Sequence, residues 1–272
     1  MGRGMVIRER NKFWLRVISA IVGIPVILTV AWLGRWPLIL FVGVLYLVGL
    51  WEMSRLLGET GVAPNLSLAY LGGLIVVCSA YAGNNGYPEA LLYVLLVCTI
   101  PLVFLFPRYT PQEAGVTFLS AAYLSLYLYL YLLRLLPDGR YWLLLTLVAT
   151  WAFDTLAYFA GRRFGKRRLA PELSPGKTVA GFVAGLCGSA AAAGLFVFWL
   201  PVGLPALFVL GLTLGIAGQI GDLVFSAVKR AAGLKDAGRL IPGHGGVLDR
   251  FDSMLLTAPL VYAAAQWLVN TG

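Results

Sequence analysis

Residues 204–232 read LPALFVLGLTLGIAGQIGDLVFSAVKRAA, and this stretch decides which class of fold the chain can adopt. Its first part, 204–221, carries no charged side chain, and about 20 apolar residues are enough for a helix to cross a bilayer. Asp222, Lys229 and Arg230 follow at one end of the segment. Because charged groups at membrane depth are otherwise disfavoured, the pattern predicts a membrane-spanning helix whose last turns carry function.

The rest of the chain has the same apolar character. Hydrophobic residues make up 60% of its 272 residues and charged residues 12%, with a mean hydropathy of +0.83, whereas soluble domains are about half apolar. We therefore predict an all-α, polytopic membrane helix bundle of about nine transmembrane helices. The predicted spans are 13–33, 36–57, 66–82, 89–106, 112–136, 141–161, 178–200, 204–232 and 251–269.

The distribution of positive charge predicts the orientation of these spans. Sixteen of the 21 Lys and Arg residues lie in three segments, 1–16, 162–177 and 229–250. The positive-inside rule places all three in the cytoplasm. The predicted organisation is a basic cytoplasmic tail over 1–12, an N-terminal membrane region of five spans over 13–136 and a C-terminal membrane region of four spans, with two basic cytoplasmic loops, over 137–272.

The net charge of +9 is consistent with several kinds of partner. Because the basic residues lie between apolar spans, they indicate topology signals and contacts with anionic lipid or phosphate rather than with nucleic acid. Acidic residues are few in the first five spans. Glu52, Glu89 and Glu113 lie near span ends, and we expect them to be interfacial residues in contact with water.

Chemistry-bearing residues begin in the sixth predicted span. Asp154 is a carboxylate within that span, where it either pairs with a Lys or Arg as a structural tie or helps to bind a cation. The basic segment 161–178, GRRFGKRRLAPELSPGKT, ends like a P-loop, but Pro171 stands where that motif needs glycine. We interpret the segment as a flexible cationic loop suited to phosphate groups, with Thr178 beginning the seventh span. Headgroup binding or topology alone is the alternative.

The eighth span and the segment after it concentrate further polar groups. Gly211, Gly215, Gly218 and Asp222 recur on one helical face, and glycines in such a stripe let another helix approach closely. Asp249 and Asp252 begin the last span, where they either cap the helix or converge with Asp222 on a divalent ion.

These residues together resemble a known signature. The stretches Ser226-Ala-Val-Lys229-Arg230, Lys235-Asp236 and Ile241-Pro-Gly-His244-Gly-Gly-Val-Leu-Asp249-Arg250-Phe-Asp252 resemble the phosphatidate cytidylyltransferases, or CDP-diacylglycerol synthases. Asp154-Thr-Leu-Ala-Tyr158 and Ser174-Pro-Gly-Lys177-Thr178 are similar to that family too, so the resemblance covers about the last 120 residues. Phe225 and Ala180 depart from it, since the family commonly has glutamate there.

The resemblance implies transfer of a cytidylyl group from CTP to phosphatidate, giving CDP-diacylglycerol and pyrophosphate, with Mg²⁺ as cofactor. The implied catalytic residues are Asp222, Ser226, Lys229 and Asp249. The implied metal ligands are Asp222 and Asp249, with Asp252 and Asp154 as further candidates. The implied substrate-binding residues are Lys166, Ser174, Lys177, Thr178, Arg230, Lys235, Asp236, Arg239, His244 and Arg250.

The expected partners are CTP, phosphatidate and membrane lipids, without nucleic acid, and a homodimer is left open. The expected location is a prokaryotic inner or plasma membrane, with the active site facing the cytoplasm. Two alternatives remain at this point. One is a CTP-dependent lipid or polyprenol kinase, and the other is an ion-coupled transporter that uses Asp154 and Asp222 along an ion path.

Overall fold

The protein is described by a computed structural model that covers residues 15, 19, 21–81, 87–238, 240–241 and 245–271. Most of this part of the chain is helical. Its helices are α1 (Ile21–Leu33), α2 (Arg35–Gly58), α3 (Leu66–Tyr81), α4 (Tyr87–Thr99), α5 (Pro101–Leu105), α6 (Pro111–Ser125), α7 (Leu128–Leu135), α8 (Gly139–Phe164), α9 (Val179–Gly194), α10 (Leu204–Ala231), α11 (Leu248–Phe251) and α12 (Met254–Thr271). A short 3₁₀ helix over Leu195–Phe198 extends α9.

Each of the nine predicted apolar runs overlaps at least one of these helices. Five helical segments in the described residues are long and apolar enough to cross a membrane, and the others are shorter or less apolar. The five are Arg35–Gly58, Pro111–Leu135, Gly139–Phe164, Val179–Phe198 and Leu204–Ala231. The prediction of an all-α membrane helix bundle is therefore confirmed. The count of nine spans, the cytoplasmic N-terminus and the division into regions stay predictions.

The basic segment after α8 is a β-hairpin, which corrects the prediction of a flexible loop. Strand β1 (Arg168–Ala170) pairs antiparallel with β2 (Ser174–Thr178). Both ends of the hairpin are anchored: Val179 N donates to Arg167 O (3.0 Å), and Arg230 on α10 donates to the turn carbonyl of Leu173 (3.0 Å). Tertiary hydrogen bonds of this kind order the segment, and composition does not reveal them.

Thr178 ends the hairpin and begins α9, as predicted. Its Oγ1 accepts a hydrogen bond from Gly181 N (3.1 Å), which satisfies one of the free N–H groups of the first helical turn. Gly181 also lies against α8, where a Cβ would be 2.6 Å from the carbonyl oxygen of Ala157. The cap and this close approach fix the hairpin over the C-terminal half of α8.

The glycine stripe of α10 packs against neighbouring helices, as the sequence predicts. A Cβ at Gly211 would lie 2.6 Å from Ala190 Cα on α9, and Ser189 Oγ donates to the Gly211 carbonyl (2.7 Å). A Cβ at Gly215 would lie 2.9 Å from the ring of Phe153 on α8. Helices α8, α9 and α10 thus form one closely packed group, and this packing brings Asp154 and Asp222 to a common cavity.

We expect Gly211→Ala to destabilise the protein by about 1–3 kcal/mol, because the added methyl group overpacks the contact between α9 and α10. Gly43→Ala is the matched control, since a Cβ there has no atom within 4 Å and alanine is the better helix former. Thermal unfolding of both variants in detergent measures the effect. An unchanged melting temperature for Gly211→Ala would contradict the packing described above.

Candidate active site

A polar cavity of about 370 Å³ lies where α8, β2, α10 and the segment before α12 meet. A second cavity of about 540 Å³ adjoins it and shares Asp154, Lys177 and Asp222. Residues from four distant parts of the sequence therefore face one space. The first cavity is lined by Asp154, Ser174, Lys177, Asp222, Ser226, Lys229, Arg230, Lys235, Asp236, Asp249, Arg250, Asp252 and Ser253.

Of the predicted site residues that the structure describes, all except Lys166 lie on one or both of these linings. Thr178 lines the larger cavity, although its hydroxyl is used to cap α9. Lys166 is exposed, and Arg162 and Arg168 supply the cations that line the larger cavity nearby. The predictions for Arg239 and His244 fall outside the described residues.

Asp249 is held by three donors from two elements. Lys229 Nζ on α10 lies 2.7 Å from Asp249 Oδ1, and the two side chains are only 11% and 5% exposed. Asp249 Oδ2 accepts hydrogen bonds from Ala237 N (2.8 Å) and Gly246 N (2.9 Å). Asp249 therefore joins the end of α10 to both sides of the segment that returns to α12.

Asp222 forms a more accessible ion pair. Lys177 Nζ on β2 lies 2.5 Å from Asp222 Oδ2, with side-chain exposures of 20% and 30%. One helical turn later, Ser226 Oγ donates to Asp222 Oδ1 (3.3 Å). The pair joins the hairpin to α10. Because it is partly exposed to the cavity, Lys177 is placed to exchange Asp222 for an incoming phosphate group.

Three carboxyl groups lie together on one side of the site. Asp252, in the turn between α11 and α12, is 7% exposed, and its Oδ1 accepts a hydrogen bond from Ser253 N (2.8 Å). Asp154 on α8 and Asp222 on α10 line the same cavity. A bound cation would offset the repulsion between these groups when they are ionised.

The sequence profile of the cytidylyltransferase family matches residues 14–268. This chain belongs to the cytidylyltransferase family. It is 34% identical over 258 residues to a protein from Staphylococcus haemolyticus, covering 91% of this chain and 96% of the relative. A Bacillus subtilis relative is 34% identical over 264 residues (91% and 95%), and a Staphylococcus aureus relative is 31% identical over 253 residues (91% and 96%). All three carry the name phosphatidate cytidylyltransferase.

The family resemblance predicted from the sequence is thereby confirmed, and the chain is a nucleotidyltransferase. The alternative of an ion-coupled transporter loses its basis, because the match covers nearly the whole chain rather than one motif. Which individual residues of this cytidylyltransferase act in catalysis stays a prediction.

Phe225 lies where the family resemblance led us to expect glutamate, and its surroundings are those of an apolar residue. The ring is fully buried, and Lys229 Nζ lies 4.8 Å from its centroid. The ring face stabilises the ammonium group by a cation–π interaction. In this cytidylyltransferase the charge of Lys229 is therefore balanced by Asp249 and by an aromatic face.

Glu52 corrects a prediction, because it is not an interfacial residue in water. It lies on α2 with 0% exposure. Its Oε1 accepts a hydrogen bond from Val247 N (2.9 Å), and its Oε2 accepts one from Leu248 N (2.8 Å). The carboxylate thus holds the two backbone N–H groups just before Asp249. A Cβ at Gly246 would lie 2.5 Å from Oε1, so glycine is needed for this approach.

The sequence did contain a signal that Glu52 is buried, and the prediction of an interfacial position did not take it into account. The residue lies inside the predicted span 36–57, and an acid inside a span indicates a buried partner or a functional role. The partner itself is not visible in the sequence, because it consists of two backbone groups 195 and 196 residues away.

We expect Glu52→Gln to lower the turnover of the cytidylyltransferase by about 10- to 100-fold. The glutamine oxygen can still accept one of the two backbone hydrogen bonds, but its NH₂ group faces the other backbone N–H, so that hydrogen bond is lost. A hydrogen bond to a charged group contributes about 1.5–3 kcal/mol. Amide exchange at Val247 and Leu248 should become faster at the same time. Glu59→Gln, an exposed position at the C-terminus of α2, is the control that should leave both measurements unchanged. Slow exchange at both amides in Glu52→Gln would contradict this role.

Proposed function

We propose that this membrane enzyme transfers the cytidylyl group of CTP to phosphatidate, forming CDP-diacylglycerol and pyrophosphate in phospholipid biosynthesis. The observation that carries the proposal is the agreement of two facts. The curated relatives that match 91% of the chain are named phosphatidate cytidylyltransferases, and the cavity combines carboxylates with Lys and Arg side chains suited to phosphate groups.

The reaction needs positioning and charge neutralisation more than a strong base. The phosphate monoester of phosphatidate has a second pKa near ~6, so it is largely dianionic at neutral pH. One of its oxygens forms a bond to the α-phosphorus of CTP, while the bond from that phosphorus to the bridging oxygen of the β-phosphate breaks. The electron pair leaves with pyrophosphate, and the protein has to stabilise the negative charge that develops there.

The residues of the cavity suit distinct parts of this task. Lys177 leaves Asp222 to contact a phosphate, since their ion pair is partly exposed. Lys229 stays on Asp249, because that pair is buried and its carboxylate also holds the backbone. Arg162 and Arg168 extend the positive lining into the larger cavity, where a second substrate has room.

Mg²⁺ is the proposed cofactor, and its proposed ligands are carboxylates that line the cavity. Within the described part of the chain, no three Asp, Glu, His or Cys side chains are grouped closely enough to hold a metal ion. Mg²⁺ usually binds one or two carboxylates together with waters and substrate phosphates, and Asp222 with Asp154 or Asp252 provides such a set. When bound, the ion would neutralise charge on the phosphates. Asp249 fits this role less well, because its side chain is 5% exposed, against 30% for Asp222, and it already accepts two backbone hydrogen bonds.

We place the enzyme in the bacterial plasma membrane with the cavity facing the cytoplasm. Its long apolar helices make it a membrane protein, and the relatives named above are bacterial. The orientation rests on the positive-inside rule, since residues 162–177 and 229–250 carry 11 of the 21 basic residues. CTP would then reach the cavity from the cytosol, and phosphatidate would reach it from the bilayer.

Labelled CTP tests the proposal and separates it from a lipid kinase. Purified protein is incubated with phosphatidate, Mg²⁺ and CTP labelled at either the α- or the γ-phosphorus. Cytidylyl transfer puts the α label into the lipid product and the γ label into pyrophosphate. Appearance of the γ label in lipid would instead identify a CTP-dependent kinase. An absence of labelled lipid with folded protein would overturn the proposal.

A further inference from the structure

Three arginines lie together at the end of the bundle opposite the active site. Arg35 begins α2, and Glu52 on the same helix binds the active-site segment. The two residues are 17 positions apart, which is about 25 Å along the helix axis. Arg140 lies in the first turn of α8, and Asp154 follows 14 residues later, or about 21 Å. Arg134, near the end of α7, is the third member. We call Arg35, Arg134 and Arg140 the arginine cluster.

The turn between α1 and α2 creates the cluster. Gly34 and Arg35 have φ values of 64° and 41°, in the left-handed region that glycine adopts readily and arginine rarely does. Because Gly34 has no side chain, the guanidinium of Arg134 packs directly on it, and a Cβ there would lie 2.6 Å from Arg134 Nε. Both Arg35 and Arg140 are close enough to Arg134 for direct charge repulsion.

These positive charges lack protein counter-charges in the described part of the chain. The salt bridges there are Lys177–Asp222 and Lys229–Asp249, and neither involves the cluster. The Nε atoms of Arg134 and Arg140 are buried and have no hydrogen-bond partner among the described residues. A buried donor without an acceptor is costly, and so are neighbouring like charges. An anion that accepts these hydrogen bonds would remove both costs.

The surroundings of the cluster favour an anion attached to an apolar body. Trp32 covers Arg140, with the guanidinium carbon 4.2 Å from the ring centroid. Trp32, Leu33 and Trp36 are exposed next to the cluster. Tryptophans at this position are typical of the level of the lipid headgroups. An apolar surface beside guanidinium groups matches the acyl chains and the phosphate of one phospholipid.

We propose that the arginine cluster binds the phosphate of an anionic phospholipid in the leaflet opposite the active site. The planar guanidinium presents paired donors that match phosphate oxygens, which favours a phosphate over other headgroup elements. The site is separate from the cavity in which the proposed reaction occurs. The inference therefore does not depend on the substrate of that reaction.

Lipid-dependent thermal unfolding of the full chain in detergent tests the proposal. Saturating phosphatidylglycerol, at about 100 times its Kd, should raise the melting temperature by about 5–10 °C. Diacylglycerol, which has no phosphate, should produce no rise. The double variant Arg134→Gln/Arg140→Gln should lose the rise, while its melting temperature without lipid should match or exceed that of the wild type, because repulsion and unpaired donors are removed.

Two further arms keep the test decisive. Arg108→Gln, an exposed arginine outside the cluster, should retain the full rise with phosphatidylglycerol. Arg134→Lys keeps the charge but loses the paired donors, so it should retain only part of the rise. If phosphatidylglycerol raises the melting temperature of Arg134→Gln/Arg140→Gln as much as that of the wild type, the arginine cluster is not the binding site. An equal rise with inorganic phosphate alone would assign the cluster to a soluble anion and overturn the lipid assignment.

Discussion

Asp249→Asn should lower cytidylyl transfer by about a thousandfold. Lys229 and Asp249 form a buried ion pair at 2.7 Å. Without Asp249, Lys229 loses the contact that positions it in the cavity, and breaking such a pair also lowers the stability of the fold by about 3–5 kcal/mol. The substitution also weakens the acceptor of the Ala237 and Gly246 N–H groups. Steady-state rates with CTP and phosphatidate measure the loss. Glu172→Gln, in the exposed turn of the hairpin, is the matched control.

A second substitution separates the structural and chemical roles of this pair. In Asp249→Asn/Lys229→Met the uncompensated charge is gone, so the melting temperature should recover relative to Asp249→Asn. Activity should stay low, since the positive charge in the cavity is also gone. If folded Asp249→Asn keeps activity within about fivefold of the wild type, the pair has no part in the reaction.

Asp222→Asn should lower turnover by about 10²- to 10³-fold, comparable to removing one preorganised electrostatic group from an active site. Asp222 carries the ion pair with Lys177, accepts a hydrogen bond from Ser226 and lies on both cavities. The concentration of Mg²⁺ needed for half-maximal activity should rise as well, because Asp222 is the common member of the proposed ligand set. Rates measured across a Mg²⁺ titration check both effects.

Lys177→Gln tests the proposed exchange of partners. If Lys177 leaves Asp222 to contact a phosphate of CTP, the single variant should raise KM for CTP more than it lowers kcat. The double variant Lys177→Gln/Asp222→Asn should then be less impaired than the sum of the two single effects, since the residues interact directly. Strictly additive effects would contradict the exchange.

Much of the fold and part of the site could be predicted from the sequence because the relevant signals are local. Apolar runs such as 204–232 have to form helices in a bilayer, where each backbone polar group needs an internal partner. Charged residues gather where those runs end, so Asp222, Lys229 and Asp249 were predicted to belong to one region. The structure places all three on one cavity.

The contacts of the site could not be predicted in the same way. Glu52 binds backbone groups almost 200 residues away, and hydropathy carries no information about a partner at that separation. The hairpin was predicted as a loop for a similar reason, since its short strands depend on Arg230 and on the first turn of α9. Nothing in the sequence indicated which lysine pairs with which aspartate.

The sequence by itself determined that this protein is a helical membrane bundle of the cytidylyltransferase type, with its carboxylates and cations at the ends of particular spans. The tertiary structure alone decided the pairing of Lys177 with Asp222 and of Lys229 with Asp249, the burial of Glu52 and the grouping of Arg35, Arg134 and Arg140. The physical reason is that the two kinds of interaction act over different separations in the sequence. Partitioning into the bilayer acts on each segment separately, whereas ion pairs and hydrogen bonds depend on which helices pack together.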